Sequence, residues 1–229
     1  MGSMDLLTHL LSSDPGAPRL TVYNETDSSR MDFSAQTLDN WAAKVGNMLK
    51  EEFDLESGDT IAVALPVGWQ AVTIVLGALA AEVNYRLLSP AELEVSELSD
   101  IDVAFVGSDN FSAAAQAEIV DIAVVTEDPF GRGVEETGGT LPEGAVDFGP
   151  TVRFYGDQFP YPTAPLPALF PDAGASARLL STGWSSREEF EARVLVPLAA
   201  GGSAVIVAGM TTADRLDEIA ANEKVTARV

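Results

Sequence analysis

Four stretches of the chain lack any polar/apolar alternation: IAVAL at 61–65, DVAFV at 102–106, IAVVT at 122–126 and SAVIV at 203–207. A strand with one face in water would alternate. Runs without a polar side suit strands covered on both faces, as in a parallel sheet between helical layers. Helix-like segments separate them, near 69–81, 90–98, 112–118 and 187–200. Ser89-Pro90-x-Glu92 supplies a capping box with proline at the first helical position. Ser186-x-x-Glu189 supplies a second box, in competition with Ser185-x-x-Glu188. Thr211 is placed to cap a helix through Leu216, Ile219 and Ala220, and Val225–Val229 reads as a short strand. Alternating strand and helix patterns predict an α/β fold, with a mostly parallel sheet between helical layers and right-handed crossovers.

Before the first of these runs, Leu20–Tyr23 and Met31–Phe33 flank a polar turn and predict a hairpin. Ser34 can cap a helix whose apolar positions Leu38, Trp41, Ala42, Val45, Met48 and Leu49 follow helical spacing. Two uncharged windows, 61–81 and 194–213, approach the length of a membrane span. Pro66 and Gly68 break the first, and Pro197, Gly201 and Gly202 break the second. Each therefore reads as two short buried elements, with Trp69 opening the helix after the first break. No charged-then-apolar leader opens the chain, so the expected location is the cytoplasm, with no membrane partner.

Residues 129–171 differ in texture. They hold eight of the 13 prolines and seven glycines, and read as a long ordered connection. The expected organisation is one α/β domain over residues 1–229, with a first half at 5–128, this connection at 129–171, and a second half at 172–229. The strand-like piece within the connection is Thr151–Tyr155. Alternation along it would put Arg153, Tyr155 and Asp157 on one face, as candidate ligand-binding residues at a half-exposed edge.

Composition narrows the chemistry. The chain has 229 residues and no cysteine, which excludes thiol nucleophiles, disulfides and Cys-ligated zinc. Its one histidine, His9, would have to serve any Ser-His-Asp triad or His-containing metal site; no metal and no cofactor are expected. No Gly-Lys dipeptide occurs, so there is no Walker-type loop. The net charge is −22, and residues 82–147 alone carry 15 acids against Arg86 and Arg132. Such a surface repels nucleic acid and anionic lipid. It serves solubility through self-repulsion, or it meets a basic protein partner.

Three segments carry a resemblance. Gly58-Asp59, Val63-Ala64-Leu65-Pro66 and Gly77-Ala78-Leu79-Ala80-Ala81 form the first. Ala81, Tyr85, Leu88 and Pro90 within AEVNYRLLSP form the second. Arg178-Leu179-Leu180-Ser181, Pro197–Gly201, Ile219 and Lys224-Val225-Thr226 form the third. In this order and spacing they resemble the N-terminal domain of adenylate-forming enzymes, the acyl-CoA synthetases, luciferases and peptide-synthetase adenylation domains. The best fit is a short, stand-alone bacterial family related to them.

The departures from that family bear on function. Its phosphate loop, rich in Ser, Thr and Gly and ending in a Pro-Lys-Gly, holds ATP phosphates with backbone amides and a lysine. By the resemblance it belongs between residues 107 and 178, an interval without lysine. Ser181-Thr182-Gly183 has the composition but sits where the family has a different segment. The resemblance therefore implies the family's fold without its adenylation chemistry. The expected function is a catalytically degenerate relative that binds a small acyl or nucleotide-like ligand or a protein. The alternative is an active enzyme with a remodelled acyl- or nucleotide-binding site. A homodimer through the C-terminal strand is a further expectation.

Overall fold

The computed structural model describes residues 4–95 and 97–229. In chain order, α1 (Thr8–Ser13) precedes the hairpin β1 (Pro18–Asn24) and β2 (Ser29–Ser34), then α2 (Ala35–Glu51), β3 (Thr60–Ala64), α3 (Trp69–Ala80) and β4 (Asn84–Leu87). Next come α4 (Pro90–Val95), β5 (Val103–Val106), α5 (Phe111–Gln116), β6 (Asp121–Val124), β7 (Val146–Asp147), α6 (Phe148–Phe154) and α7 (Leu166–Leu169). The chain closes with β8 (Arg178–Ser181), α8 (Arg187–Phe190), a π turn (Glu191–Leu195), α9 (Val196–Ala199), β9 (Ser203–Ala208), α10 (Ala213–Asn222) and β10 (Ala227–Arg228).

These elements form two compact units. One is built from Asn40–Pro66 and Gln70–Thr163, the other from Asp5–Asp39, Val67–Trp69 and Ala164–Val229. The expected halves followed the chain in order, whereas the units interleave. The hairpin expected in the first half joins the second unit, because β1 pairs with β9 in parallel, Leu20 opposite Ala204.

The first unit holds a parallel sheet in the order β4-β3-β5-β6-β7. Its centre explains the non-alternating runs. Along β5, Ala104 and Val106 enter an apolar cluster with Leu93, Ala114 and Ile119 from the α4 and α5 region. Phe105, between them, meets Phe53 and Phe148 edge-on at ring distances of 6.1 and 5.9 Å. Successive side chains leave opposite faces, and here both faces are dry. The capping box closes as expected: the Glu92 N–H donates to Ser89 Oγ at 3.3 Å and the Ser89 N–H donates to Glu92 Oε2 at 2.8 Å. Hydrogen bonds from Ser89 hold the Glu92 carboxylate below its usual pKa.

The second unit holds the order β10-β8-β9-β1-β2, parallel except for the hairpin pair. All six residues of β9 are buried, as befits a central strand. Ser34 Oγ accepts the Thr37 N–H at 3.1 Å and caps α2 as expected.

Two local expectations need correction. Thr151–Tyr155 is not a strand but lies in and just after α6. The buried positions Phe148, Gly149 and Val152 have helical spacing, and Pro150 sits in the first turn, where its missing N–H leaves nothing unsatisfied. The cap of α10 is Thr212 rather than Thr211, with Thr212 Oγ1 accepting the Arg215 N–H at 3.2 Å. Among the described residues, no helix is long and apolar enough to cross a membrane. The break at Pro66–Gly68 and the start of α3 at Trp69 fall where the pattern placed them.

Candidate functional site

With α6 helical, period-2 alternation cannot gather Arg153, Tyr155 and Asp157. Each side chain is engaged by a different partner. Arg153 Nη1 donates to the Gly131 carbonyl at 3.0 Å, and its Nη2 pairs with Glu136 at 2.5 Å. The Tyr155 hydroxyl donates to Glu52 Oε2 at 2.8 Å, and burial together with that carboxylate pushes its pKa up. Asp157 pairs with Lys44 Nζ at 2.7 Å, and the same ammonium donates to the Tyr155 carbonyl at 2.6 Å. Asn47 Nδ2 adds bonds to the carbonyls of Gly156 and Gln158. Two residues of α2, Lys44 and Asn47, thus hold the backbone of 155–158. These bonds fasten the Pro/Gly-rich connection, whose Phe148, Val152 and Phe159 are also buried.

The Ser/Thr/Gly-rich strand-to-helix turn lies in the second unit, between β8 and α8. Gly183 has φ +91°, a conformation that excludes a Cβ sterically. A side chain there would also lie 2.7 Å from Val67. Such a turn could offer amides and hydroxyls to an anion. Here a carboxylate of the same chain takes the two donors of Ser185. Glu189 Oε2 accepts the Ser185 N–H at 2.7 Å and the Ser185 hydroxyl at 2.8 Å. Glu189 Oε1 receives Arg193 Nη2 at 2.6 Å, and Arg193 Nη1 reaches the Gly183 carbonyl at 2.5 Å. Hydrogen bonds from Ser185 hold the Glu189 pKa below its usual value.

This also resolves the competing capping boxes. Ser186 Oγ accepts the Glu189 N–H at 3.2 Å, while the returning carboxylate goes to Ser185, one residue earlier. Arg193 belongs to the π turn, next to Pro197, whose missing N–H leaves the Arg193 carbonyl without its i+4 donor. Beneath the turn, Ser181 is 1% exposed and its hydroxyl has no partner among the described residues.

The amino ends of the first unit's sheet carry a different surface. An open cavity of about 760 Å³ is rimmed by Asp54, Asp59, Glu97, Asp102, Glu118 and Asp121, with no base in its lining. Phe53, Leu55, Leu98 and Ile101 form its floor, and Val120 stands 86% exposed at its side. Two of the acids have structural work: Asp102 accepts the Thr60 N–H and Asp59 accepts the Glu56 N–H. Asp54 and Glu118 adopt left-handed backbone just beyond α2 and α5, at φ +52° and +59°. The helix dipole disfavours negative charge at such ends. Among the described residues, no group of three or more His, Asp or Glu is arranged to hold a metal ion.

Sequence reasoning missed the Glu189–Arg193 arrangement, whose signal was the doubled box Ser185-Ser186…Glu188-Glu189. It also missed Asp39, a carboxyl whose Oδ1 is buried with no partner among the described residues, and whose pKa burial raises to about 6.

No protein-family model matches the chain. A "TIGR03089 family protein" of Mycobacterium tuberculosis (strain ATCC 25618 / H37Rv) is 34% identical over 244 residues, spanning 96% of this chain and 95% of that protein. The chain belongs to this family. The family relative is thus of nearly the same extent. Solved structures share the fold at low identity. The acyl-CoA synthetase of Brucella canis superposes with a TM-score of 0.75 at 19% identity, over 99% of this chain and 47% of that one. The acetoacetyl-CoA synthetase of Streptomyces lividans gives 0.73 at 14%, over 99% and 42%. The anthranilate CoA ligase AuaEII, in complex with anthranoyl-AMP, gives 0.69 at 15%, over 97% and 48%. The chain spans less than half the length of these synthetases. The α/β fold expected from the resemblance is the fold observed.

Proposed function

We propose that this member of the family acts by binding and does not adenylate carboxylic acids. The observation that carries the reading is the interval 107–178, where the resemblance places the phosphate loop and no lysine stands to meet a triphosphate. The Ser/Thr/Gly-rich turn between β8 and α8 lies outside that interval, and its Ser185 donors are taken by Glu189. Arg153, Tyr155 and Asp157 act in it as fasteners of the connection rather than as ligand contacts.

The bound species is a basic protein segment, received at the amino-end cavity of the first unit. An apolar floor under a rim of six carboxylates suits a chain with lysine or arginine beside apolar side chains. The exposed Val120 adds apolar contact at the same place.

Pyrophosphate exchange over a panel of fatty and amino acids tests the first part, and no substrate-dependent signal is expected. Exchange that persists through repurification overturns it. Fluorescence anisotropy with a labelled Lys/Leu peptide tests the second. Binding should weaken steeply with salt and fall about ten-fold or more when Glu97, Glu118 and Asp121 are changed together to amides. Equal affinity in both proteins removes the cavity from the proposal.

A further inference from the structure

The C-terminal segment of the second unit is held in an unusual way. Of the ten residues of α10, only Ile219 and Ala220 are buried. Leu216 and Val225 pack partly against the same cluster of Tyr23, Leu180, Val205 and Val207. Strand β10 has two residues, set opposite Leu179 and Leu180 of β8. Apolar burial along 212–228 is therefore sparse, and most of the side-chain polar contacts converge on one carboxylate.

That side chain is Glu223. Its Oε1 accepts the Tyr23 hydroxyl at 2.6 Å, Arg30 Nε at 2.9 Å and Arg30 Nη2 at 2.7 Å. Its Oε2 accepts Arg178 Nη2, whose Nε donates to the Glu223 carbonyl at 2.7 Å. Burial alone would raise the carboxyl pKa; these donors hold it below the usual value. Arg215 supplies a second tie, to Glu25 at 3.2 Å, with its guanidinium also over the Tyr23 ring. The segment joins β9 through Gly209, at φ +86°, and Met210, which is 98% exposed.

We propose that residues 212–228 form a strap that opens as a unit about Gly209–Thr211, with Glu223 as its latch. Few buried apolar contacts, with the polar ties centred on Glu223, are what a locally opening segment requires. Opening frees the Arg178 carbonyl from the Thr226 N–H and the Leu180 carbonyl from the Val229 N–H. It also frees the Arg178 N–H from Thr226 Oγ1. The β8 edge is then left without its partner strand. This inference is independent of the basic partner proposed above.

Hydrogen exchange on the full chain tests it. In the wild type, amides of 214–226 should share one rate, about ten-fold or more above those of the central strand β9. Glu223→Gln leaves the Arg178 guanidinium without its charged acceptor. It should speed 214–226 by about ten-fold or more while 203–208 is unchanged. Tyr23→Phe removes one neutral donor, and should act in the same direction by less. Should Glu223→Gln fail to fold, the wild type and Tyr23→Phe decide. Joint exchange of 203–208 and 214–226 at one rate, or no response of 214–226 to either variant, overturns the strap.

Discussion

Glu189 accepts both the backbone N–H and the hydroxyl of Ser185, at 2.7 and 2.8 Å, from one turn further along the chain. With Arg193 on its other oxygen, this carboxylate fixes the start of the 187–199 helical segment. Glu189→Ala should therefore lower the urea midpoint, through loss of the cap contacts and a charge-assisted bond. Arg187→Ala, which removes an exposed pair with Glu191, should lower it less. Urea unfolding of the two variants checks the ranking; equal midpoints would contradict it.

Gly77 is a packing requirement in α3. A Cβ there would lie 2.3 Å from Val45 Cγ1 and 2.4 Å from Val45 Cβ. Helix propensity favours Gly77→Ala by about 1 kcal/mol, but overpacking of a rigid β-branched neighbour costs about 1–3 kcal/mol. The net effect should be a loss of stability. Adding Val45→Ala should recover part of it, so that a double-mutant cycle yields a favourable coupling. Simple additivity would show that the contact is relieved some other way.

Asp39 sets a pH dependence. Burial raises its pKa to about 6, above the unfolded value of about 3.9. Between those values the native state keeps a proton that the unfolded chain has released. The stabilisation is complete below about pH 3.9 and is lost as pH rises through about 6. Glu223 runs the other way: its contribution is present above the unfolded value and lost as pH falls through its depressed native value. Thermal melts from about pH 4 to 7 should show a downward component that Asp39→Asn removes. An unchanged profile in that variant would place the titration elsewhere.

Lys44 should govern order in the Pro/Gly-rich connection. Its ammonium holds the Tyr155 carbonyl and the Asp157 carboxylate together. Lys44→Ala should leave the sheet intact and make 156–163 the first site of limited proteolysis. Cleavage at an unchanged rate and position would mean that Asn47 and packing suffice.

Periodicity carried the strands well because burial on both faces removes polar residues regardless of which strand is the neighbour. The runs at 61–65 and 203–207 carried the same signal although one lies in each sheet. Period-2 reading failed at Arg153, Tyr155 and Asp157, because a seven-residue helix with few buried positions offers little spacing to count. The cap at Thr212 differed by one residue from Thr211 because adjacent threonines offer the same hydroxyl, and only backbone direction selects between them.

The sequence by itself determined that this is an α/β protein with strands covered on both faces, a break at Pro66–Gly68 and no lysine between 107 and 178. Those properties depend on local composition and spacing. Only the tertiary structure decided that β1 pairs with β9, that Glu189 occupies the β8–α8 turn, and that Glu223 gathers Tyr23, Arg30 and Arg178. Tyr23 and Glu223 stand 200 positions apart in sequence. Acidic residues are common throughout the chain, so no pattern distinguishes the carboxylate that meets a half-buried arginine from one that meets water. The distinction arises when chain packing removes solvent, because a buried charge must then find its partners within the protein.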